Sequence, residues 1–190
     1  MPYRKDIFAQ GQYYHIYNRT IPGVPLFFNP GNYLYFLRLV QRSREPYGAN
    51  VIAYCLMPNH YHFLLRQETD VPLSRFVAAV LNAYVQALNR QQGRRGPLFQ
   101  GRFRHAWVDR EEYITHLCRY IHLNPVQANL VAVPEAWQYS NYIDWIGLRT
   151  GTLKDEEFIH EHFQTPDEYR RFVEAYRSET PDLLAPYIWD

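Results

Sequence analysis

Hydrophobic and polar positions along the chain first predict a set of short strands. The segment QYYHIYNRT (12–20) is rich in β-forming residues, and its successive side chains fall on opposite sides of a predicted first strand. The apolar runs ANVIAYCLM (49–57) and HYHFLLR (60–66) are separated only by Pro-Asn, which is typical of an antiparallel hairpin. A fourth strand is predicted within RRGPLFQGRFRHAWVD (94–109), after a loop rich in Gly and Arg.

Three further segments carry apolar residues at helical spacing. NPGNYLYFLRLVQRSRE (29–45) begins with turn residues, and LSRFVAAVLNAYVQALNRQQG (73–93) runs to a glycine that favours a helix end. A third helix is predicted over 110–124, capped at its start by Asp109 and stopped by Pro125. Strands interleaved with helices, including an antiparallel hairpin, predict an α+β fold in which helices pack on an antiparallel sheet.

The composition changes towards the end of the chain. The segment 150–190 contains 10 acidic and 4 basic residues. Within it, TPDEYRRFVEAY (165–176) predicts a helix with Thr165 as the N-cap, proline at the first helical position and Glu168 completing a capping box. We therefore predict two parts: a globular domain over 1–149 and an acidic helical C-terminal extension.

The charge of the chain is divided between its two halves. Up to His105 there are 13 Lys and Arg against 4 Asp and Glu, a net charge of +9, and from Ala106 onward 7 against 15, a net charge of −8. A basic half of this size suits a polyanionic partner. Two cysteines, Cys55 and Cys118, lie within apolar patterns and are expected to be buried free thiols. The sequence has no run of about 18 to 20 apolar residues and no signal-peptide pattern, so we expect a cytoplasmic protein without a membrane partner.

Two pairs of polar residues have spacings that can build a site. His60 and His62 alternate on a predicted strand, so both imidazoles point to one side, roughly 6.6 Å apart. Tyr120 and Asn124 are one helical turn apart and differ by only about 40° around the helix axis. If the apolar side of this helix docks on the sheet, Tyr120 and Asn124 lie at the rim of the contact, where they can meet the histidines.

This set of side chains suits metal-assisted phosphoryl transfer. Two imidazoles and an amide oxygen leave open positions on a divalent cation, which can act as a Lewis acid on a phosphate. A tyrosine next to such an ion can serve as the nucleophile. Tyr113, seven residues earlier on nearly the same helical face, is the rival nucleophile. Cys118 and His122 are four residues apart and could suggest zinc, but Cys118 falls on the apolar side, which favours core packing.

Several motifs occur together and in a consistent order over roughly residues 10–145. They are the opening YYHIYNRT, the strand MPNHYHFLLR, the segment GRFRHAWVDREEYITHLCRYIHLNPVQANL and the following AWQYSNY. In these motifs the chain resembles the REP-associated tyrosine transposases, within the insertion sequence 200 class of single-tyrosine HUH nucleases. The resemblance implies a ferredoxin-like or RRM-like sandwich of helices on an antiparallel sheet.

The resemblance also implies roles for the polar pairs. In the family, the two histidines of the motif and a polar residue one turn after the tyrosine bind Mg²⁺ or Mn²⁺, and the tyrosine cleaves single-stranded DNA. Carried over to this sequence, His60, His62 and Asn124 are the expected metal ligands and Tyr120 is the expected nucleophile. Tyr61, between the histidines, is expected to point away from the ion into the core.

DNA contacts are expected mainly from the basic half of the chain. Arginines that cluster next to the catalytic helix in the sequence are the main candidates for phosphate contacts, and they are Arg94, Arg95, Arg102 and Arg104. The family resemblance adds Asn18 and Arg19. His122 is expected to contact DNA or to cap a carbonyl.

These features together predict a metal-dependent single-stranded DNA endonuclease and strand transferase. We expect it to cleave near hairpin-forming repetitive elements through a 5′-phosphotyrosine intermediate. A monomer is favoured over the homodimer that related single-tyrosine transposases form. Two alternatives remain open at this point: a structured nucleic-acid-binding protein that no longer cleaves, and a metal-dependent phosphodiesterase that acts on RNA.

Overall fold

The computed structural model describes residues 8–176 and 184–185. This part of the chain contains four strands and six helices, together with a short 3₁₀ turn at Pro134–Ala136. The strands are β1 (Tyr13–Arg19), β2 (Ala49–Met57), β3 (His60–Gln67) and β4 (Arg104–Val108). The helices are α1 (Pro30–Arg44), α2 (Leu73–Gln91), α3 (Glu111–Gln127), α4 (Tyr142–Trp145), α5 (Glu156–His162) and α6 (Pro166–Glu174).

The four strands form one antiparallel sheet in the order β2-β3-β1-β4. The predicted hairpin is formed by β2 and β3, with Met57 paired to His60 across the Pro-Asn turn. In the centre of the sheet, Tyr17 of β1 pairs with His62 of β3 on one side and with Arg104 of β4 on the other. The predicted α+β fold, with helices on an antiparallel sheet, is confirmed.

Each face of the sheet is covered by its own hydrophobic core. Alternate residues of β3, namely Tyr61, Phe63 and Leu65, belong to the core that includes side chains of α1 and α2. Leu64, one residue out of phase, belongs to the second core, which includes side chains of α3. Because side chains of a strand alternate between faces, the histidines on either side of Tyr61 face α3.

The ends of α3 differ from the prediction. Arg110, not Asp109, occupies the N-cap, and no side chain caps the first turn. Pro125 does not stop the helix, which runs on to Gln127. A proline within a helix removes one backbone hydrogen bond and crowds the carbonyl four residues earlier, yet α3 continues for two residues after Pro125.

A Schellman motif ends α3 instead. Asn129 adopts a left-handed backbone with φ of 54°, and its N–H donates to the carbonyl of Val126 at 2.9 Å. The N–H of Leu130 donates to the carbonyl of Pro125 at 2.9 Å. This pair of hydrogen bonds satisfies carbonyls of the last turn and reverses the chain after the helix.

The segment after α3 closes the free edge of β2. Asn141 accepts a hydrogen bond from the backbone N–H of Tyr54 at 2.7 Å and donates to the carbonyl of Ile52 at 2.9 Å. The indole N–H of Trp137 donates to the carbonyl of Leu56 at 3.1 Å. An uncovered edge strand invites pairing with another chain, so these side chains protect the sheet.

The acidic C-terminal segment forms helices, and Thr165 caps α6 as predicted, whereas Glu168 bonds to the residue before the N-cap instead of the N-cap itself. Thr165 accepts a hydrogen bond from the backbone N–H of Glu168 at 3.1 Å, and the Glu168 carboxylate accepts one from the N–H of Gln164 at 2.7 Å. Apolar side chains of α5 (Phe158) and α6 (Tyr169 and Val173) pack in the second core, together with those of α3. Phe163, in the loop between α5 and α6, belongs to the same core. The division between 1–149 and 150–190 stays a prediction, although the side chains on its two sides pack in one core.

Two smaller expectations can be compared with the described residues. Cys55 and Cys118 are both buried free thiols, as predicted. Within residues 8–176 and 184–185, no helix is long and apolar enough to cross a membrane.

Candidate metal and tyrosine site

The histidine pair lies on the central strand β3 and faces α3. The rings of His60 and His62 have centroids 5.1 Å apart and lie nearly perpendicular to each other. Pairing with β1 places Arg19 opposite His60 and Tyr17 opposite His62. The predicted common orientation of the two imidazoles is therefore present in the fold.

Helix α3 brings Tyr120 to these histidines. The ring of Tyr120 meets the ring of His62 edge-on, with centroids 5.9 Å apart, and its exposed fraction is 7%. The helix docks through the apolar side that the sequence predicted, and its buried residues there are Ile114, Leu117, Cys118 and Ile121. Since this docking is tight, Tyr120 has a fixed place at the edge of the core.

Asn124 completes the group, one turn after Tyr120. Its side-chain N–H donates to the backbone carbonyl of Tyr120 at 2.9 Å, and its interaction with His60 raises the pKa of that imidazole. Asn124 remains within α3 although Pro125 follows it. Helical geometry at this position is therefore retained, and the amide bridges the tyrosine helix and the histidine strand.

Burial keeps both imidazoles uncharged at neutral pH. Burial lowers the pKa of His60 to about 4, with the nearby Arg19 charge acting in the same direction and the hydrogen bond to Asn124 opposing it. Burial also lowers the pKa of His62 well below its ordinary value, helped by His15, His60 and Arg19. Neutral imidazole is the form that binds a metal ion.

Each histidine has its Nδ1 atom engaged by a neighbouring side chain. The Nδ1 of His60 lies 2.6 Å from the amide oxygen of Asn59. The Nδ1 of His62 lies 3.0 Å from the Nε2 of His15, a residue of β1 whose side chain is fully buried. Sequence reasoning missed His15. Its only sequence signal is its position two residues before Tyr17, on the same side of β1.

The chemistry of these side chains fits a hard or borderline divalent cation. Two neutral imidazoles lie here beside the amide of Asn124, and these are the side chains that the sequence predicts as ligands. In the part of the chain that the structure describes, no group of three or more His, Cys, Asp or Glu could bind a metal ion. The amide of Asn124 beside the pair has the chemistry of a third ligand.

A cationic cleft of about 270 Å³ adjoins the histidines along β1 and β4. Four predicted DNA contacts line it, together with Tyr17, Gln100 and Gly101: Asn18, Arg19, Arg102 and Arg104. Asn18 is mostly buried, and its amide donates to the carbonyl of Gly101 at 3.2 Å, so it holds the wall of the cleft. Arg94 and Arg95, in the loop after α2, do not line this cleft.

A second, more apolar cleft of about 600 Å³ opens beside His60. Its apolar wall comes from the β1–α1 loop and from the turn after α3, and includes Ile21, Pro22, Val24 and Leu130. Leu130 is 42% exposed. Arg19 and Gln100 line both clefts, so the two form one continuous surface past the histidines.

The structure does not support a DNA contact by His122. Its side chain is fully buried on the far side of α3, where Nδ1 lies 2.6 Å from the Tyr169 hydroxyl and Nε2 lies 2.9 Å from the Asn141 amide oxygen. Burial lowers the pKa of His122 to about 4, and the hydrogen bond to Asn141 opposes that shift. Of the two expectations for His122, the DNA contact was wrong, because the C-terminal segment covers this face of α3.

Other tyrosines near the motifs have different surroundings. Tyr61 is 1% exposed and packs against Phe36 and Phe63, so its expected direction into the core is confirmed. The hydroxyl of Tyr113, the rival nucleophile, accepts a hydrogen bond from Arg110 at 3.0 Å. Tyr17 is a second tyrosine beside His62, with ring centroids 6.0 Å apart, and the sequence reasoning did not consider it as a rival.

This geometry agrees with comparisons to known proteins. Residues 9–124 match the family model described as IS200-like transposases. The chain therefore belongs to the IS200-like transposase family, and membership implies a DNA-cleaving enzyme.

Two relatives come from the REP-associated branch that the motifs resemble. A REP-associated tyrosine transposase of Haemophilus influenzae is 27% identical over 154 residues, which span 74% of this chain and 84% of the relative. A solved structure of a REP-associated tyrosine transposase bound to a REP hairpin has a TM-score of 0.66 and 14% identity, covering 82% of this chain and 98% of the other. At that identity the second likeness is evidence for the fold alone.

Proposed function

We propose that this protein is a metal-dependent single-stranded DNA endonuclease and strand transferase, which cleaves near hairpin-forming repetitive elements. The observation that carries the proposal is the edge-on contact between Tyr120 and His62, 5.9 Å between ring centroids, together with the place of Asn124 beside His60, whose pKa it raises. A tyrosine, two neutral imidazoles and an amide thus meet where α3 covers the start of β3.

In this proposal, His60, His62 and Asn124 bind Mg²⁺ or Mn²⁺. Such an ion supplies Lewis-acid chemistry: it withdraws charge from the scissile phosphate and stabilises the leaving oxygen. The chain itself supplies neutral imidazoles, because burial lowers the pKa of both histidines. It also supplies the nucleophile on a rigid helix, which limits the freedom of Tyr120 before reaction.

The proposed reaction exchanges one phosphate ester for another. The hydroxyl oxygen of Tyr120 attacks phosphorus and forms a new O–P bond, while the bond from phosphorus to the 3′ oxygen breaks. The phenolic proton is lost and the 3′ oxygen leaves as a hydroxyl, so atoms and charge balance. The product is a 5′-phosphotyrosine, which another 3′ hydroxyl can attack to rejoin strands without a nucleotide cofactor.

The two clefts give a route for the substrate strand. Arg19, Arg102 and Arg104 supply positive charge for backbone phosphates in the cationic cleft. The larger cleft beside His60 has an apolar wall suited to the faces of unpaired bases. The relative solved with a REP hairpin supports hairpin DNA as the substrate class.

A monomer is the proposed working unit. Tyr120 and His62 of the same chain are in ring contact, so a complete set of reacting side chains forms without a second subunit. Mass measurement by sedimentation or light scattering, with and without a hairpin oligonucleotide, tests this point. A stable dimer in both conditions would contradict it.

A covalent adduct tests the chemistry directly. Wild-type protein is incubated with a labelled hairpin oligonucleotide carrying an unpaired flank, with Mn²⁺ or with EDTA. We expect a denaturation-resistant protein–DNA band that requires Mn²⁺, disappears in Tyr120→Phe and persists in the matched control Tyr113→Phe. If the adduct is lost in Tyr113→Phe and retained in Tyr120→Phe, the nucleophile is Tyr113 instead of Tyr120.

The alternative is a domesticated binding protein that recognises structured DNA without cutting it. Tight binding of every hairpin tested, with no adduct from any of them, would favour this alternative. The meeting of Tyr120, His62 and Asn124 argues for cleavage, since a pure binder needs none of these side chains to converge.

A further inference from the structure

His15 occupies a central place in the site, although it belongs to neither the histidine motif nor the tyrosine helix. Its side chain is fully buried on β1, and its ring is nearly parallel to that of His62, with centroids 5.2 Å apart. Tyr17 lies 4.8 Å from the same ring, and Tyr120 meets it edge-on at 6.4 Å. Neighbouring rings therefore restrict the rotation of His15.

The contact between the two imidazoles is an N–H···N hydrogen bond. The Nε2 of His15 and the Nδ1 of His62 are 3.0 Å apart, so one nitrogen carries the proton and the other accepts it. Only one direction suits metal binding through Nε2 of His62. If His62 donates from Nδ1, its Nε2 keeps a free lone pair; if His15 donates, the proton of neutral His62 stays on Nε2 and blocks that atom.

The neighbouring histidine has the same arrangement. The Nδ1 of His60 lies 2.6 Å from the amide oxygen of Asn59, which can only accept a proton. Nδ1 of His60 is therefore the donor, and Nε2 carries its lone pair. The acceptor for His60 is the preceding, exposed residue, whereas the acceptor for His62 comes from another strand and is buried.

We propose that His15 is a positioning residue, which accepts the Nδ1 proton of His62 and so directs the Nε2 lone pair of His62 to the catalytic cation. The inference rests on the proposed function, because the cation is part of that function. Outer-shell acceptors of this kind orient imidazole ligands, and their loss typically weakens metal binding by about 10- to 100-fold.

Nuclear magnetic resonance on ¹⁵N-histidine protein without metal tests the hydrogen bond itself. At a pH of about 7.5, where imidazoles are neutral, protonated and unprotonated ring nitrogens have distinct shifts. We expect His62 as the Nδ1–H tautomer in the wild type. His62 found with its proton on Nε2 in the wild type would overturn the inference.

Metal affinity tests whether the hydrogen bond to His15 strengthens cation binding by His62. The probe is Mn²⁺ alone, and its binding is measured by electron paramagnetic resonance. His15→Phe should weaken Mn²⁺ binding by about 10- to 100-fold, and His15→Gln, whose amide oxygen can accept the proton, should recover most of it. His105→Phe is the matched control: its side chain lies on β4, on the other face of the sheet from His15. This variant should bind Mn²⁺ as tightly as the wild type does. Equal weakening in His15→Phe and His15→Gln would overturn the inference.

These experiments distinguish failure of the proposed function from failure of the inference about His15. Wild-type protein that binds no Mn²⁺ would overturn both the proposed function and the inference. Normal Mn²⁺ binding and Tyr120 adduct formation in His15→Phe would leave the proposed function intact and overturn the inference alone.

Discussion

His122 of α3 and Tyr169 of α6 are joined by a buried hydrogen bond of 2.6 Å. The bond ties the far side of the tyrosine helix to the acidic C-terminal segment. Arg119 adds a second link, because its guanidinium donates to the carbonyl of Phe172 at 3.1 Å and lies over that ring. The helix that carries Tyr120 is thus fixed on two sides, by the sheet and by the C-terminal helices.

Removing the Tyr169 hydroxyl should therefore weaken the fold. In Tyr169→Phe, the Nδ1 of His122 is left buried without its donor, and the free energy of unfolding should fall by about 1 to 3 kcal/mol. Urea unfolding followed by circular dichroism measures the change. Tyr113→Phe, whose hydroxyl contacts the exposed Arg110, is the matched control and should change stability by less than about 0.5 kcal/mol.

Acid should destabilise the protein in a defined pH window. The folded state lowers the pKa of His122 from 6.5 to about 4, so the unfolded chain binds the proton first as the pH falls. This contribution to stability is fully present above pH 6.5 and is lost as the pH falls towards 4, and it is on the order of 3 kcal/mol. His60 and His62 act in the same direction.

Urea unfolding at several pH values measures that loss, and the ring proton shifts of His122 report its own titration. The slope of stability against pH should be shallower in His122→Asn than in the wild type. A stability that stays constant between pH 7 and pH 5 would contradict the prediction, since imidazoles are the side chains that ordinarily titrate there.

DNA binding should depend on the arginines of the cationic cleft. Arg102→Ala removes one proposed phosphate contact, so the slope of log K against log salt should become shallower by about 0.7 for a single strand. Fluorescence anisotropy over a salt series measures the slope. Arg75→Ala, at an exposed position on α2 in the helix layer on the opposite face of the sheet, should leave it unchanged. Equal effects in the two variants would refute a localised cationic site.

Tyr17 should be dispensable for covalent chemistry although it lies beside His62. Its hydroxyl hydrogen-bonds Arg104, and burial raises its pKa, an effect that Arg104 partly offsets. Tyr17→Phe should therefore form the protein–DNA adduct at a rate within a few-fold of the wild type, as measured by a time course on denaturing gels. Abolished adduct formation with normal DNA binding would make Tyr17 a participant in the reaction.

Parts of the site that depend on local periodicity were predictable from the sequence. The two-residue period of a strand places His60 and His62 on one side, and the pitch of a helix places Tyr120 and Asn124 on one face. Each relationship lies within one strand or one helix, so it does not depend on how the strands and helices pack together. The direction of Tyr61 into the core follows from the same strand period.

Relationships between elements were not predictable in this way. His15 is one of several polar residues on the same side of β1, and only the register of β1 against β3 brings it to His62. The surroundings of His122 depend on α6, which lies more than forty positions later in the chain. The end of α3 was misplaced, because a Schellman motif at Asn129 outweighs the local effect of Pro125.

The sequence by itself determined the order of strands and helices, the basic and acidic halves, and the two residue pairs that make up the candidate site. Short-range periodicity and composition carry that information, since they act within a few residues along the chain. Only the tertiary structure decided which imidazole hydrogen-bonds His62, which arginines line a common cleft, and what buries His122. These contacts depend on strand register and helix docking, which are set by the packing of side chains far apart in the sequence.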